Sequence, residues 1–225
     1  MKKNIIAICG TKMSGKTTLI KMIKRILLHK FETFDDFKYR SPDYLQNTYV
    51  DNIIDNLQVL NFADSLKEQI IALTGCTIRD LESQEFKNSL SPLYDNTFRA
   101  NTIIPKVRGL VFFTYRDLHL FISDKTKDMF GKQIYVDSLF MKYNPSKHLI
   151  IGDLRYSKNT PEDEEGEIKK RGGIIVKLTR PGLEGDFSHS SESSIKDIEA
   201  DIEHENIELE DLFNLAKEIV NKYLK

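Results

Sequence analysis

Ile5, Ile6, Ala7, Ile8 and Cys9 form an unbroken apolar run that ends on Gly10, the pattern of a parallel strand buried on both faces. After it, Leu19, Ile20, Met22, Ile23, Ile26 and Leu27 recur at helical spacing among Lys21, Lys24 and Arg25, which predicts an amphipathic helix over about 17–29. From 30 to 56 the period fades around Asp35-Asp36 and Ser41-Pro42-Asp43, so this stretch reads as irregular, with a short helix near 49–56. A second strand is expected over 58–62, a helix over 64–73 that stops near Gly75, and a further turn over 79–87.

Pro92, Pro105 and the polar residues 95–101 mark an inserted loop over 90–108, with 109–113 starting a strand or helix. Helices are expected over 115–129 and 133–143. His148-Leu149-Ile150-Ile151-Gly152-Asp153 is the clearest later strand, apolar and closing on a carboxylate. A charged helix over 162–171 halts at Gly172-Gly173, followed by a strand over 174–178, a last strand within 197–207 and an amphipathic helix over 209–224. No internal repeat is present. Strands alternating with helices predict an α/β fold around a parallel sheet with right-handed crossovers.

Composition narrows the class. Of 225 residues, 40% are hydrophobic and 30% charged, which suits a globular chain with a sizeable core and excludes disordered and collagen-like classes. Lys and Arg total 33 against 34 Asp and Glu, so no whole-molecule field recruits nucleic acid or an anionic membrane, and phosphate binding has to be local. The two cysteines, Cys9 and Cys76, stand far apart without metal-ligand spacing, which argues against a disulfide scaffold or zinc site. The start is too short in apolar residues for a signal peptide, and no run approaches a membrane helix, so an intracellular location is expected.

Gly10-Thr11-Lys12-Met13-Ser14-Gly15-Lys16-Thr17 fits G-x-x-x-x-G-K-[ST], between a strand and a helix as that motif requires. Its glycines let backbone N–H groups and the helix N-terminus face an anion, while Lys16 reaches the outer phosphates and the Thr17 hydroxyl ligates Mg²⁺. The motif alone does not choose among kinase, motor, GTPase and ATPase. A guanine-reading [NT]-K-x-D is absent, since Thr126-Lys127-Asp128 lacks the spacing, and the chain is short for an ATPase core plus an effector domain.

Asp153 closes its strand where a carboxylate commonly holds Mg²⁺ beside such a loop. Arg155 lies two residues on, and in extended chain the two point the same way, one to a metal and one to a phosphate. Asp64 and Lys67, after the second strand, form a similar but weaker pair. Open strand ends of a parallel sheet face the ligand crevice.

In their order along the chain, these segments resemble the phage-encoded deoxynucleoside monophosphate kinase family, a branch of the P-loop nucleoside monophosphate kinases. The resemblance rests on the loop from Gly10 to Thr18, Phe62-Ala63-Asp64-Ser65-Leu66-Lys67, Arg116, Gln133-Ile134-Tyr135-Val136 and Ile151-Gly152-Asp153-Leu154-Arg155. It continues through Gly172-Gly173, Arg180-Pro181-Gly182, His189-Ser190-Ser191-Glu192 and Asn206. It implies a three-layer P-loop kinase fold, a single domain over 1–225 with helices on both faces of the sheet. An acceptor-binding insertion over about 76–147 and a lid over about 180–196 belong to that expectation.

The resemblance also implies ATP and Mg²⁺ as cofactors, with Gly10, Lys12, Ser14, Gly15, Lys16, Thr17 and Thr18 on the nucleotide and Thr17 and Asp153 on the metal. Leu66, Lys67, Arg116, His119, Tyr135, Asp153 and Arg155 would border the acceptor, and Lys16, Asp153, Arg155 and Arg180 the transferred phosphoryl. The expected partners are small molecules only, with neither nucleic acid nor membrane, a homodimer being compatible, and the place of action the host cytoplasm. Where the family has Gln followed by Leu-Gly, this chain has His119 and Phe121-Ile122, and Tyr135 replaces a tryptophan, so base specificity does not carry over.

The serines of the 189–192 segment lack a nucleophile elbow and read as a polar lid. Glu162-Asp163-Glu164-Glu165 reads as a solvated first turn favoured by the helix dipole, without chemistry. The same loop and Asp-x-Arg would also serve a kinase for another anionic acceptor, such as phosphomevalonate or dephospho-coenzyme A, or a nucleotide-binding switch without turnover.

Overall fold

The computed structural model describes residues 4–41, 54–91, 114–182 and 194–225. They fall into two compact units, residues 1–62 with 139–225, and residues 63–138.

The first unit is built on a five-stranded sheet of β1 (Ile5–Gly10), β2 (Leu57–Leu60), β3 (His148–Leu154), β4 (Ile174–Thr179) and β5 (Ile202–Glu205), in the order β2-β3-β1-β4-β5. Every pairing is parallel. The central strands are apolar without alternation because both faces are covered. Ile6, Ile8, Ile150, Val176 and Leu178 pack against α1 (Lys16–Leu28), α2 (Phe34–Arg40) and α9 (Leu209–Tyr223), whose Leu19, Met22, Phe37, Phe213 and Ile219 complete that core. On the other face Ile168 of α8 (Glu164–Lys170) is fully buried and reaches Gly173, where an added Cβ would stand 2.6 Å from its Cγ2 and 3.3 Å from Cβ of Ile5.

The second unit holds α3 (Asp64–Thr74), α4 (Ile78–Glu82), α5 (Gln84–Asn88) and α6 (Tyr115–Phe130). Helix α7 (Ile134–Lys142) begins in this unit and ends in the first. Ile70, Cys76, Leu81, Tyr115 and Leu118 form a separate core, with Leu66, Phe86 and Ile122 packed against it.

The parallel α/β architecture and most elements match the hydrophobic pattern. One segment does not: α2 stands where irregular chain was expected. Its start is a local signal, the Thr33 hydroxyl accepting the Asp36 N–H at 3.1 Å. Its persistence is tertiary, through Phe37 packed among Phe31, Phe34 and Phe213. The expected turn over 79–87 is two short helices, α4 and α5, each capped by a hydroxyl, from Thr77 and Ser83. Residues 49–53 of the expected short helix, the loop and element over 92–113, and residues 183–193 of the expected lid lie outside the described residues.

Candidate active site

β1 carries Gly10 to the C-terminal edge of the sheet, and the chain turns through 11–15 into α1. At Gly15 φ is 105°, and a Cβ there would stand 2.5 Å from Nδ2 of Asn206, so both backbone and space require glycine. At Gly10 a Cβ would stand 2.4 Å from the carbonyl oxygen of Leu178. Helix α1 starts without a side-chain cap, and a helix N-terminus offers its N–H groups and dipole to an anion.

The Lys16 ammonium donates to the carbonyls of Gly10 at 2.6 Å and Thr11 at 2.8 Å, so it lies folded over the loop. Ser14 is fully buried and its Oγ has no hydrogen-bond partner among the described residues. A buried hydroxyl without a partner is costly unless a ligand completes it. Lys12 and Thr17 are exposed, and Thr18 is half-buried. The loop therefore fits a phosphate chain.

At the end of β3, Leu154 pairs with Cys9, which sets the strand's last residues beside the start of the loop. Asp153 is half-buried, and its Oδ1 accepts the N–H of Phe62 at 2.7 Å. Arg155 is exposed. The expected solvated acidic turn is corrected here: Glu164 is 5% exposed and Glu165 1%. One oxygen of Glu164 accepts the N–H groups of Arg155 at 2.7 Å and Tyr156 at 3.1 Å. Glu165 accepts those of Lys158 at 3.1 Å and Glu199 at 3.2 Å. Burial, reinforced by the negative charge of Asp153, pushes the Glu164 carboxyl up to about 8. The first turn of α8 is thus drawn inward by unpaired backbone donors, which charge patterning does not register.

Arg180, exposed, follows β4 and borders a cleft of about 350 Å³ together with Gly10, Thr11, Lys177, Ile195 and Lys196. Lys177 donates to the carbonyls of Lys196 at 3.1 Å and Ile198 at 3.3 Å, which ties the 3-10 turn Ser194–Asp197 to β4. Asn206, buried at the end of β5, donates from Nδ2 to the carbonyl of Ser14 at 3.0 Å. The first unit thus gathers the glycine loop, Asp153, Arg155 and Arg180 at the C-terminal edge of its sheet, where parallel sheets bind ligands.

The remaining expected residues lie in the second unit. Thr114 and Asp117 form a capping box at the start of α6, which sets Arg116 and His119 three residues apart on one helix side. The Arg116 guanidinium donates to Oε1 of Gln84 at 2.9 Å and Oδ1 of Asn88 at 3.2 Å. Lys67 is half-buried, its ammonium 4.0 Å from a carboxylate oxygen of Glu82. Burial, then the positive charges of Lys87, Lys67 and Arg116, push the His119 imidazole down to about 4, so it is neutral at pH 7. Its Nε2 is buried with no hydrogen-bond partner among the described residues, as is the hydroxyl of Tyr135, a residue only 7% exposed. Leu66 packs on the unit's core.

Sequence reasoning missed Lys87, Glu164, Glu165, Lys177 and Asn206 as members of these clusters. Asn206 entered only as one of the residues that carry the family resemblance, without a role; Glu164 and Glu165 read as a solvated turn, and Lys87 and Lys177 left no signal.

Cys9 is buried, which pushes its thiol up to about 12 and leaves it inert. Among the described residues no three His, Cys, Asp or Glu side chains form a metal-binding group. A divalent ion at Thr17 and Asp153 would take phosphate oxygens and water among its ligands, as Mg²⁺ usually does. No helix among the described residues is long and apolar enough to cross a membrane.

No family model matches the chain. Over 68 residues it is 32% identical to an Acanthamoeba polyphaga mimivirus protein provisionally named a deoxynucleotide monophosphate kinase. The match covers 30% of this chain and spans about a third, 32%, of that relative's length.

Proposed function

We propose that this chain is an ATP-dependent kinase that transfers a phosphoryl group to a deoxynucleoside monophosphate. The observation that carries the reading is the loop from Gly10 to Thr17, with its Ser14 hydroxyl unpartnered among the described residues and its Lys16 ammonium resting on carbonyls, set beside Asp153, Arg155 and Arg180. A second phosphate ligand asks for cations beyond the loop, and Arg155 and Arg180 supply them. The partial likeness to a protein named as a deoxynucleotide monophosphate kinase supports the same reading.

A phosphate oxygen of the acceptor attacks the γ-phosphorus in line, the bond to the β–γ bridging oxygen breaks, and ADP leaves with that electron pair. The protein's work is positioning and charge. Lys16 trades its carbonyl partners for the outer phosphates, while the Ser14 hydroxyl and the loop amides, from Gly10 and Lys12 to Gly15 and Thr18, hold the chain of phosphates. Mg²⁺, when bound, neutralises charge between the phosphates, and Thr17 and Asp153 are the residues that would hold it. Arg155 and Arg180 stabilise the charge of the transferring group. In the second unit, Lys67 and Arg116 carry charge for the acceptor phosphate, while Leu66, His119 and Tyr135 supply apolar and polar surface for its base. The neutral imidazole of His119 has one nitrogen without a hydrogen-bond partner among the described residues, suited to a base edge.

A coupled ADP-release assay with ATP, Mg²⁺ and each of dAMP, dGMP, dCMP and dTMP tests this, with ribonucleotides and Lys16→Ala alongside. Turnover that depends on a deoxynucleotide and falls at least about 100-fold in Lys16→Ala supports the proposal. ATP binding without monophosphate-dependent turnover rejects it in favour of a switch, and turnover with only another phosphorylated acceptor replaces the substrate.

A further inference from the structure

The β3 ladder ends at Leu154, opposite Cys9, and the next two N–H groups, of Arg155 and Tyr156, turn to one side-chain oxygen, that of Glu164. The N–H of Glu165 returns a third bond to the carbonyl of Tyr156 at 3.1 Å. Three hydrogen bonds thus bind a two-residue segment to the first turn of α8. That turn is anchored by the Asp163 side chain accepting the Gly166 N–H at 2.9 Å and by fully buried Ile168. Neighbouring bonds repeat the pattern: Ser157 N–H donates to Ser194 Oγ at 3.0 Å and Lys158 N–H to Glu165.

We propose that Glu164 is a positioning residue, whose buried carboxyl group fixes the chain where it leaves β3 and so aims Arg155, with Asp153 two residues before it, into the phosphate site. The inference rests on the kinase reading given above. The physical reason is that Arg155 is an exposed residue whose backbone N–H is one of the two that Glu164 holds. A long, rotamer-rich side chain then takes its direction from the backbone that bears it, and an active-site group displaced by about 1 Å can lose about 100-fold in rate.

Steady-state kinetics of the full chain with ATP, Mg²⁺ and a deoxynucleoside monophosphate test it in Glu164→Ala, Glu164→Asp and Glu164→Gln. Glutamine keeps a carbonyl oxygen at the same reach, whereas aspartate falls one methylene short. Expected are a kcat about 10- to 100-fold lower in the alanine and aspartate variants, with KM for ATP within about threefold of wild type, and recovery to within about threefold in glutamine. Wild-type kcat in Glu164→Ala, or a glutamine variant as slow as alanine, overturns the proposal. Should Glu164→Ala fail to fold, equal kcat in the aspartate and glutamine variants overturns it.

Should the wild-type chain phosphorylate no deoxynucleoside monophosphate, the kinase reading fails on its own, and amide exchange at Arg155 and Tyr156 decides the clamp. Slow exchange in wild type and Glu164→Gln with faster exchange in Glu164→Asp supports it. Equal exchange in all three overturns it.

Discussion

The side-chain amide of Asn206 donates a 3.0 Å hydrogen bond to the carbonyl oxygen of Ser14, joining the end of β5 to the glycine loop across 192 residues of sequence. Asn206 is itself held in place, its N–H donating to the Thr179 carbonyl at 2.8 Å. Asn206 thus occupies the carbonyl of a buried loop residue. Removing it in Asn206→Ala leaves a buried carbonyl unpaired, which costs about 1–3 kcal/mol of stability. Nucleotide affinity is expected to fall about 5- to 10-fold. Calorimetric titration with ATP beside thermal melts checks both numbers, and unchanged affinity would remove Asn206 from the site.

Glu164 sets a pH dependence of stability. Its folded-state carboxyl is raised from 4.5 to about 8 by burial and by Asp153, so the fold favours the protonated form. That contribution is complete below the unfolded value of 4.5 and is lost as pH rises through about 8. Thermal melts between about pH 5 and pH 9 are expected to show wild type losing ground to Glu164→Gln, which keeps the acceptor and has no proton to release. Parallel curves for the two proteins would contradict this.

His119 works in the opposite direction. Its imidazole is lowered from 6.5 to about 4 by burial and by Lys87, Lys67 and Arg116, so the fold favours the neutral form. The stability this gives is present above pH 6.5 and is lost as pH falls through about 4. Proton NMR should show one histidine titrating far below the rest, its signal absent in His119→Gln. A midpoint near 6.5 would mean that the imidazole stands in water.

Phe213 is 1% exposed, with its ring 5.0 Å from that of Phe37 and 5.6 Å from that of Phe34. Phe213→Ala is expected to cost about 3–5 kcal/mol, a fall in melting temperature of about 10 °C. Because both rings line one space, adding Phe37→Ala should cost less than the sum of the single changes. Strict additivity would show that the two rings do not share a cavity.

Much of the architecture was legible along the chain. Buried parallel strands must be apolar on both faces, so the runs from Ile5 to Cys9 and from His148 to Asp153 announce themselves, and amphipathic helices such as α1 and α9 carry their period openly. The loop from Gly10 to Thr17 was readable for a related reason: its backbone geometry demands glycine at fixed positions and so leaves a spaced pattern. Helix α2 was not readable, since it depends on Phe37 finding Phe31, Phe34 and Phe213, one of them far along the chain.

The same distinction runs through the site. Local sequence determined that Lys16 follows a glycine loop and that Asp153 lies at the end of a strand with Arg155 just past it. Only the tertiary structure decided that Glu164 and Glu165, in a turn that reads as solvated, are buried, and that Asn206 reaches Ser14. These are hydrogen bonds from side chains to backbone groups left unpaired where strands end, and such groups accept any partner the fold brings near. A donor or acceptor of that kind imposes no spacing on the chain, so no periodicity or motif records it before folding brings the pair together.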